Sequence, residues 1–272
     1  MPTPIEAKVK AATAYNAAAD SYDDPANTFW SRFGQRTIDR IDLRAGKRVL
    51  DVCCGSGASA LPAAARVGSS GYVLGVDLAD RLLALARTKA YDQNLRNVEF
   101  RVGDMLDLRL PSADFDAVVC VFGIFFVPDM SAAVRALWQL VRPGGQLVIT
   151  TWGPRFFEPV TTVFWDAIRE TRPELYKCFN PWDRICDPPT LSELLRSGGV
   201  VRAEVVAEAG RHPIPTPEAW WSAVLGSGYR ATLDQLDAQE RELVRAATFD
   251  FIRASRVADV ETNVVYAQAT KG

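Results

Sequence analysis

The sequence has few of the side chains that bind metal ions or form disulfide frameworks. It contains a single histidine, His212, and five cysteines, of which Cys178 and Cys186 do not have zinc-ribbon spacing. An odd number of cysteines, two of them adjacent at Cys53 and Cys54, does not fit a secreted disulfide scaffold. We therefore expect no metal site and a reducing, cytoplasmic environment.

Neither charge nor hydrophobicity indicates a nucleic-acid or membrane partner. The 31 basic residues are balanced by 33 acidic ones, and the formal net charge is -2, without the basic patch that binds nucleic acid. The longest apolar run, 117–127, is far shorter than the roughly 20 residues that span a bilayer. The N-terminus carries Glu6 and Asp20 and lacks the basic start and apolar core of a secretory signal. The expected partner is a small-molecule acceptor, with no nucleic acid and no membrane span.

Strand and helix signals alternate between residues 47 and 151, which is the pattern of a doubly wound parallel sheet. The predicted strands are 48–52, 72–76, 98–102, 115–121 and 146–151, and the predicted helices between them are 59–67, 81–91 and 131–141. Two later strands, 203–208 and 261–268, are separated by a predicted helix at 239–255. The sequence therefore predicts one α/β core.

The character of the chain changes along its length. Helical periodicity at 4–20 and 28–42 predicts an N-terminal helical cap over 1–45, ahead of a core at 46–152. Prolines and large aromatic residues then become dense, so 153–272 is expected to supply a lid or substrate region together with the last strands of the core. The aromatic residues could equally serve a dimer face, so a homodimer stays open.

The most informative segment is the apolar strand at 48–52, which runs into a Cys-Cys-Gly-Ser-Gly turn and an alanine-rich helix. This order brings bare backbone and a helix N-terminus to one point, where a nucleoside cofactor with a charged tail can bind. Gly55 to Ala60 fits G-x-G-x-x-G/A, and Asp77 ends the next strand about 20 residues later, as a ribose-binding acid does. Alone, the motif suits a nicotinamide dinucleotide or another adenosine cofactor.

Further features accompany this turn. Asp51 lies inside the first strand, and Gly103-Asp104-Met105 follows the third. Residues 122–129 follow the fourth strand, and residues 140–145 precede the fifth. In this order the motifs resemble the class I S-adenosylmethionine-dependent methyltransferases, most closely the branch of quinone-biosynthesis and other small-molecule methyltransferases. The resemblance covers about residues 14–152. It implies a Rossmann-like, seven-stranded, mainly parallel sheet with its last strand reversed, and S-adenosyl-L-methionine as cofactor.

The resemblance also implies roles for the residues of the first turn and of the second strand. Gly55 and Gly57, with Ser56 between them, would lie against the methionine part of the cofactor. Asp77 would bind the ribose diol, and Leu78 would pack on the adenine.

The later motifs have implied roles as well. In Gly103-Asp104-Met105, Asp104 would accept a hydrogen bond from the adenine amino group and Met105 would lie beside it. Val121 and Phe122, at the end of the fourth strand, would line the site near the methyl group. Cys53 departs from the family pattern, because a glycine often stands at its position.

The catalytic residues are less constrained than the cofactor site. If the acceptor must be deprotonated, His212 is the candidate base, because no other side chain here titrates near neutrality unperturbed. Tyr22 and Asp183 are alternatives. Tyr22 also lies in a segment, 15–23, that resembles the N-terminal tyrosine segment folding over the cofactor, so we count it with Asp51 among the cofactor-binding candidates.

The expected function is methyl transfer to oxygen or carbon of an apolar small molecule, for which an aromatic or quinone-like acceptor is the leading candidate. Two alternatives remain at this point. One is an NAD(P)-dependent oxidoreductase that uses the same glycine turn. The other is a non-methylating protein that binds S-adenosylmethionine, such as a cyclase or a regulatory partner.

Overall fold

A computed structural model describes residues 4–272, and side chains from Lys8 onward. The strands are β1 (Arg48–Val52), β2 (Tyr72–Asp77), β3 (Val98–Val102), β4 (Phe115–Val121), β5 (Val141–Trp152), β6 (Glu204–Glu208), β7 (Arg211–Pro213), β8 (Asp259–Glu261) and β9 (Val264–Thr270). The helices are α1 (Pro4–Tyr22), α2 (Phe29–Asp39), α3 (Ala60–Val67), α4 (Asp80–Asp92), α5 (Met130–Leu140), α6 (Val160–Thr171), α7 (Pro188–Ser197), α8 (Pro217–Leu225), α9 (Arg230–Leu233) and α10 (Ala238–Ser255).

Seven strands form one sheet in the order β3-β2-β1-β4-β5-β9-β6. Neighbouring strands from β3 to β5 are parallel, whereas β9 runs antiparallel to both β5 and β6. The expected doubly wound, mainly parallel sheet with a reversed last strand is therefore confirmed. The reversed strand begins at Val264 rather than at the predicted Glu261, because Asp259–Glu261 pairs instead with β7 in a separate two-stranded sheet.

The central strands β1 and β4 are mostly apolar and almost wholly buried because both faces of the sheet are covered. Residues that alternate along β4 belong to two different buried clusters, with Val118 in one and Val119 in the other. The same alternation separates Leu147 from Val148 in β5. Strands buried on both faces read as continuous hydrophobic runs, and β1 and β4 have the predicted bounds. The prediction for β5 was too short, because the strand begins at Val141 and not at residue 146.

Chain order reverses between β1 and β4, which are neighbours in the sheet. After β1 the chain adds β2 and β3 on one side, and from β4 onward it adds strands on the other side. The loops that leave the carboxyl ends of β1 and β4 diverge at such a switch point and open a crevice, where ligands of open α/β sheets bind.

Polar contacts hold α1 across the carboxyl ends of the parallel strands, where the crevice lies. Arg81 of α4 donates to the backbone carbonyl of Asn16 at 2.9 Å and pairs with Asp20 at 2.5 Å. Lys8 pairs with Asp104 in the loop after β3. Helix α1 thus lies over the crevice and is held near its start by Lys8 and toward its end by Asn16 and Asp20.

Candidate functional site

A cavity that opens to solvent occupies the crevice, with about 750 Å³ of empty space including its mouth. Its walls come from the loops after β1, β2 and β4 and from α1, which covers it. The sequence-predicted site residues that line it are Tyr22, Gly55, Asp77, Leu78, Val121 and Phe122. Residues widely separated in sequence meet here because parallel strands deliver their carboxyl ends to the same edge of the sheet.

The turn after β1 requires unusual backbone angles at three positions. Cys53, Gly55 and Gly57 have φ values of +59°, +52° and +86°, in the left-handed region that glycine adopts without strain. A Cβ atom on Gly55 would lie 3.1 Å from the Tyr22 hydroxyl oxygen, so a side chain there would crowd the cavity. At Cys53 the turn is formed by a non-glycine residue, at a conformational cost of about 1–2 kcal/mol.

Asp77 fixes the shape of this turn. Its Oδ2 accepts from the Gly55 backbone N–H at 2.9 Å, and its Oδ1 accepts from the Ala79 N–H at 2.8 Å. Burial at the cavity wall raises the pKa of Asp77, and the backbone hydrogen bonds oppose that rise. The carboxylate therefore supports the loop and still presents acceptor lone pairs to the cavity.

Asp51 lies beneath the cavity rather than in its lining. The Ser59 hydroxyl, which is at the wall, donates to Asp51 Oδ2 at 2.7 Å. The other oxygen, Oδ1, is buried without a hydrogen-bond partner in the described part of the chain. Burial disfavours the ionised carboxylate and raises the pKa of Asp51 to about 7. An unpartnered buried acceptor of this kind fits a cationic or hydrogen-bond-donating ligand nearby.

Ser56 and Gly57 lie in the turn but outside the cavity lining. The Ser56 hydroxyl donates to Asp23 Oδ1 at 2.7 Å and accepts from Lys89 Nζ at 2.9 Å, and Lys89 pairs with Asp23 at 2.8 Å. These contacts fasten the end of α1 to the turn, so the structure gives Ser56 an anchoring contact.

The loop after β3 is not brought into the cavity lining. Asp104 Oδ2 accepts from Lys8, and Oδ1 accepts from the Leu106 backbone N–H at 2.9 Å. Met105 is buried in the core. The position predicted for adenine recognition, Gly103-Asp104-Met105, therefore lies next to α1, with the Asp104 carboxylate already paired.

His212, the predicted base, lies in β7 and lines neither of the two cavities described here. Its buried Nε2 donates to the Ala26 carbonyl oxygen at 2.7 Å, and its ring packs edge-on against Phe29. Desolvation lowers the pKa of His212. The structure thus gives this histidine a packing role and does not bring it to the expected methyl position.

The two alternative bases are also constrained. Tyr22 stacks on Trp30 with ring centroids 4.8 Å apart, and burial raises the pKa of its phenol well above the usual value. Tyr22 is therefore a protonated hydrogen-bond donor near neutral pH. Asp183 accepts from the Asn180 backbone N–H at 2.7 Å and caps a short helical turn, outside the lining of both cavities.

A second cavity, of about 610 Å³, adjoins the first. Both are lined by Tyr15, Trp30 and Phe126, so they share a wall. Trp152 at the end of β5 lines the second cavity and stacks on Phe122 of the first, with centroids 3.7 Å apart and planes 6° apart. The aromatic excess of the sequence predicted such a pocket, but no motif indicated its one charged lining residue in the described chain, Lys177.

No group of three or more histidine, cysteine or acidic side chains among residues 8–272 is arranged to hold a metal ion. No helix in the same range has the length and apolar character needed to cross a bilayer.

Comparison with known proteins places these features in context. Residues 49–145 match the family model described as a methyltransferase domain. The chain is 28% identical over 246 residues to nocamycin O-methyltransferase of Saccharothrix syringae, covering 85% of this chain and 87% of that protein. It is 30% identical over 187 residues to the aklanonic acid methyltransferase of Streptomyces sp. (strain C5), covering 64% of this chain and 85% of that protein.

The fold is shared more widely. A solved structure of an S-adenosylmethionine-dependent methyltransferase from Aquifex aeolicus superposes with a TM-score of 0.55 at 20% identity. The match covers 70% of this chain and 91% of that one. At this level of identity the likeness concerns the arrangement of strands and helices.

Proposed function

The chain belongs to the S-adenosylmethionine-dependent methyltransferases, and we propose that it methylates an oxygen or carbon atom of an aromatic small molecule. The observation that carries this proposal is the pair of adjoining cavities. One is built on the glycine turn and Asp77, and the other is walled by aromatic rings. Because Tyr15, Trp30 and Phe126 line both cavities, a donor bound in one would lie next to an acceptor bound in the other.

The first cavity fits the cofactor that the family uses. We assign the methionine part to the Gly55 turn, the ribose hydroxyls to Asp77 and the adenine to the neighbourhood of Leu78. Asp51, with an unpartnered oxygen behind Ser59, would place negative charge near the positively charged end. Bound S-adenosylmethionine supplies a methyl group on a positively charged sulfur, already activated toward a nucleophile.

The residues of this chain then have to orient the acceptor. Positioning alone contributes much of the acceleration in such a reaction, because an aligned pair reacts as if at very high concentration. Phe122 lines the first cavity and Trp152 lines the second, and the stack of their rings gives a rigid, flat surface beside both cavities. The phenols of Tyr15 and Tyr22 have raised pKa values because they are buried, so they donate hydrogen bonds and do not remove protons.

The relatives support a small-molecule acceptor. By their names, one acts on nocamycin and the other on aklanonic acid. We also propose that residues 1–45 act as a cap and that 153–272 supply a lid or substrate region together with the last strands of the core. In support, α1 covers the first cavity and the segment after β5 walls the second. A cytoplasmic location, a lack of nucleic-acid binding and a homodimer remain predictions.

The test is calorimetric titration with S-adenosylhomocysteine, with reduced nicotinamide dinucleotide in parallel. We expect saturable binding of the first compound only, weakened at least about tenfold in Asp77→Ala, since charge-assisted hydrogen bonds contribute about 1.5–3 kcal/mol. Asp80→Ala is the matched control, because Asp80 is exposed on α4 and lies outside the cavity lining. Melting curves verify that each variant is folded.

Two outcomes would contradict the proposal. Nicotinamide binding without S-adenosylhomocysteine binding would favour the oxidoreductase. Binding of S-adenosylhomocysteine without methyl transfer to any of a panel of phenolic, quinone-like and carboxylate acceptors would favour a non-methylating protein such as a cyclase.

A further inference from the structure

The second cavity contains a cation among aromatic rings. Lys177 lines it together with Trp165 and Trp182, and no acidic side chain of the described chain lines it. Lys177 is an exposed residue, but its Nζ lies 5.4 Å from the centre of the Trp165 ring. The ammonium group is therefore directed along the aromatic wall.

Lys177 is held in place by a neutral partner. Its Nζ donates to the Thr232 hydroxyl oxygen at 3.0 Å, and Thr232 on α9 is fully buried. None of the ion pairs within 4.0 Å among the described residues involves Lys177. An ammonium group has three donor hydrogens, so two remain after the bond to Thr232, and its charge is not neutralised.

An unneutralised cation against an apolar wall is costly to keep charged. Desolvation of the ammonium group by the surrounding rings lowers the pKa of Lys177 to about 8, and the nearby charge of Lys10 adds to this effect. A bound anion would remove the penalty, because an opposite charge within a few ångströms favours the charged ammonium. The cavity is thus complementary to a ligand that is flat, apolar and negatively charged at one point.

We propose that the second cavity selects an aromatic acceptor carrying an anionic oxygen, and that Lys177 binds this oxygen through a charge-assisted hydrogen bond. Thr232 and the Trp165 ring orient the ammonium group for this contact. The inference rests on the proposed function, since it takes the second cavity to be the acceptor site. A carboxylate and an acidic phenol share the required chemistry.

The experiment uses two pairs of probes, titrated by calorimetry into protein saturated with S-adenosylhomocysteine. Anthraquinone-2-carboxylate is compared with its neutral carboxamide, and 2-hydroxyanthraquinone, an acidic phenol, is compared with its methyl ether. We expect the wild-type protein to prefer at least one anionic probe over its neutral partner by about tenfold or more, as a charge-assisted hydrogen bond predicts. The pair that shows the preference identifies the type of acid.

Three variants separate recognition by Lys177 from other effects. Lys177→Met should abolish the preference and leave affinity for the neutral probe within about twofold, whereas Lys177→Arg should retain part of it. Lys10→Met should keep the wild-type preference, because Lys10 lies outside the lining of the cavity. Retention of the preference in Lys177→Met, an equal loss in Lys10→Met, or no probe binding to the wild type would each overturn the inference.

The readout also separates this inference from the proposed function. Lys177→Met should bind S-adenosylhomocysteine as the wild type does, because Lys177 does not line the first cavity. Loss of acid preference with intact cofactor binding would overturn only the role of Lys177. Absence of S-adenosylhomocysteine binding in the wild type would overturn the proposed function itself.

Discussion

Asp51→Asn is the substitution whose effect on stability the structure constrains most closely. Asp51 is buried in β1, with one oxygen bonded to Ser59 and the other unpartnered among the described residues. Burial raises its pKa in the folded protein to about 7, from the 3.8 of an exposed aspartate. Because folding favours the protonated acid, the stability that protonated Asp51 contributes is fully present below about pH 4. This stability is lost as the pH rises from there through the folded-state pKa of about 7.

The size of the effect follows from the two pKa values. Each pKa difference of one corresponds to about 1.4 kcal/mol. At pH 8 the ionised Asp51 therefore lowers the free energy of unfolding by at most about 4 kcal/mol. Between pH 5 and pH 8 the wild-type protein should lose about 2.5 kcal/mol through this group. For a chain of this size that loss corresponds to a change in melting temperature of about 5 °C.

Asparagine cannot ionise, so the Asp51→Asn protein should lack this part of the pH dependence. The assay is thermal unfolding without ligand at half-unit steps from pH 5 to 8, and the observable is the difference between the two curves. That difference cancels the titration of every other group and is insensitive to a constant packing offset. Asp80→Asn, which changes an exposed acid, should follow the wild-type slope. Parallel curves for wild type and Asp51→Asn would refute the reasoning.

Three further changes test the site. Asp77→Asn should weaken S-adenosylhomocysteine binding and lower the unfolding free energy by about 1–3 kcal/mol, because the amide nitrogen would oppose the Gly55 N–H; unchanged titration and melting curves would contradict this. Cys53→Gly should be about 1 kcal/mol more stable than Cys53→Ala, because only glycine adopts φ +59° freely; equal melting temperatures would argue against strain. Lys8→Ala should cost under about 1 kcal/mol yet speed hydrogen exchange in α1, since it removes the ion pair to Asp104; unaltered exchange would count against that contact.

The residues around the first cavity could largely be predicted from the sequence. Buried parallel strands leave uninterrupted apolar runs, and the residue after each run falls at the same edge of the sheet. Chain order alone therefore placed Gly55, Asp77 and Phe122 at one crevice. The Asp104 loop shows the limit of this argument, since its contact with Lys8 depends on where α1 lies.

The second cavity could not be predicted from the sequence in the same way. Its walls come from segments without strand periodicity, and α6, α7 and α8 were missed because aromatic and proline residues obscure the helical pattern. Two helix starts could still have been found, since Asp187-Pro188 and Thr216-Pro217 place a capping side chain directly before proline at the first helical position. Nothing in the sequence paired Lys177 with Thr232, because that contact joins segments 55 residues apart.

The charges of the two cavities are divided in a way that suits the proposed reaction. The cofactor cavity has Asp77 in its wall and Asp51 behind it, whereas the second cavity has Lys177 and no acid in its described lining. A positively charged donor would be stabilised on the acidic side, and an anionic acceptor on the basic side. The aromatic rings that line the cavities would lower the local dielectric, so each charge would discriminate more strongly than it does in water. An acceptor that arrives already ionised needs no general base. The choice of such a substrate would then explain why the structure places no base at the site, neither His212, nor a Tyr22 phenolate, nor Asp183.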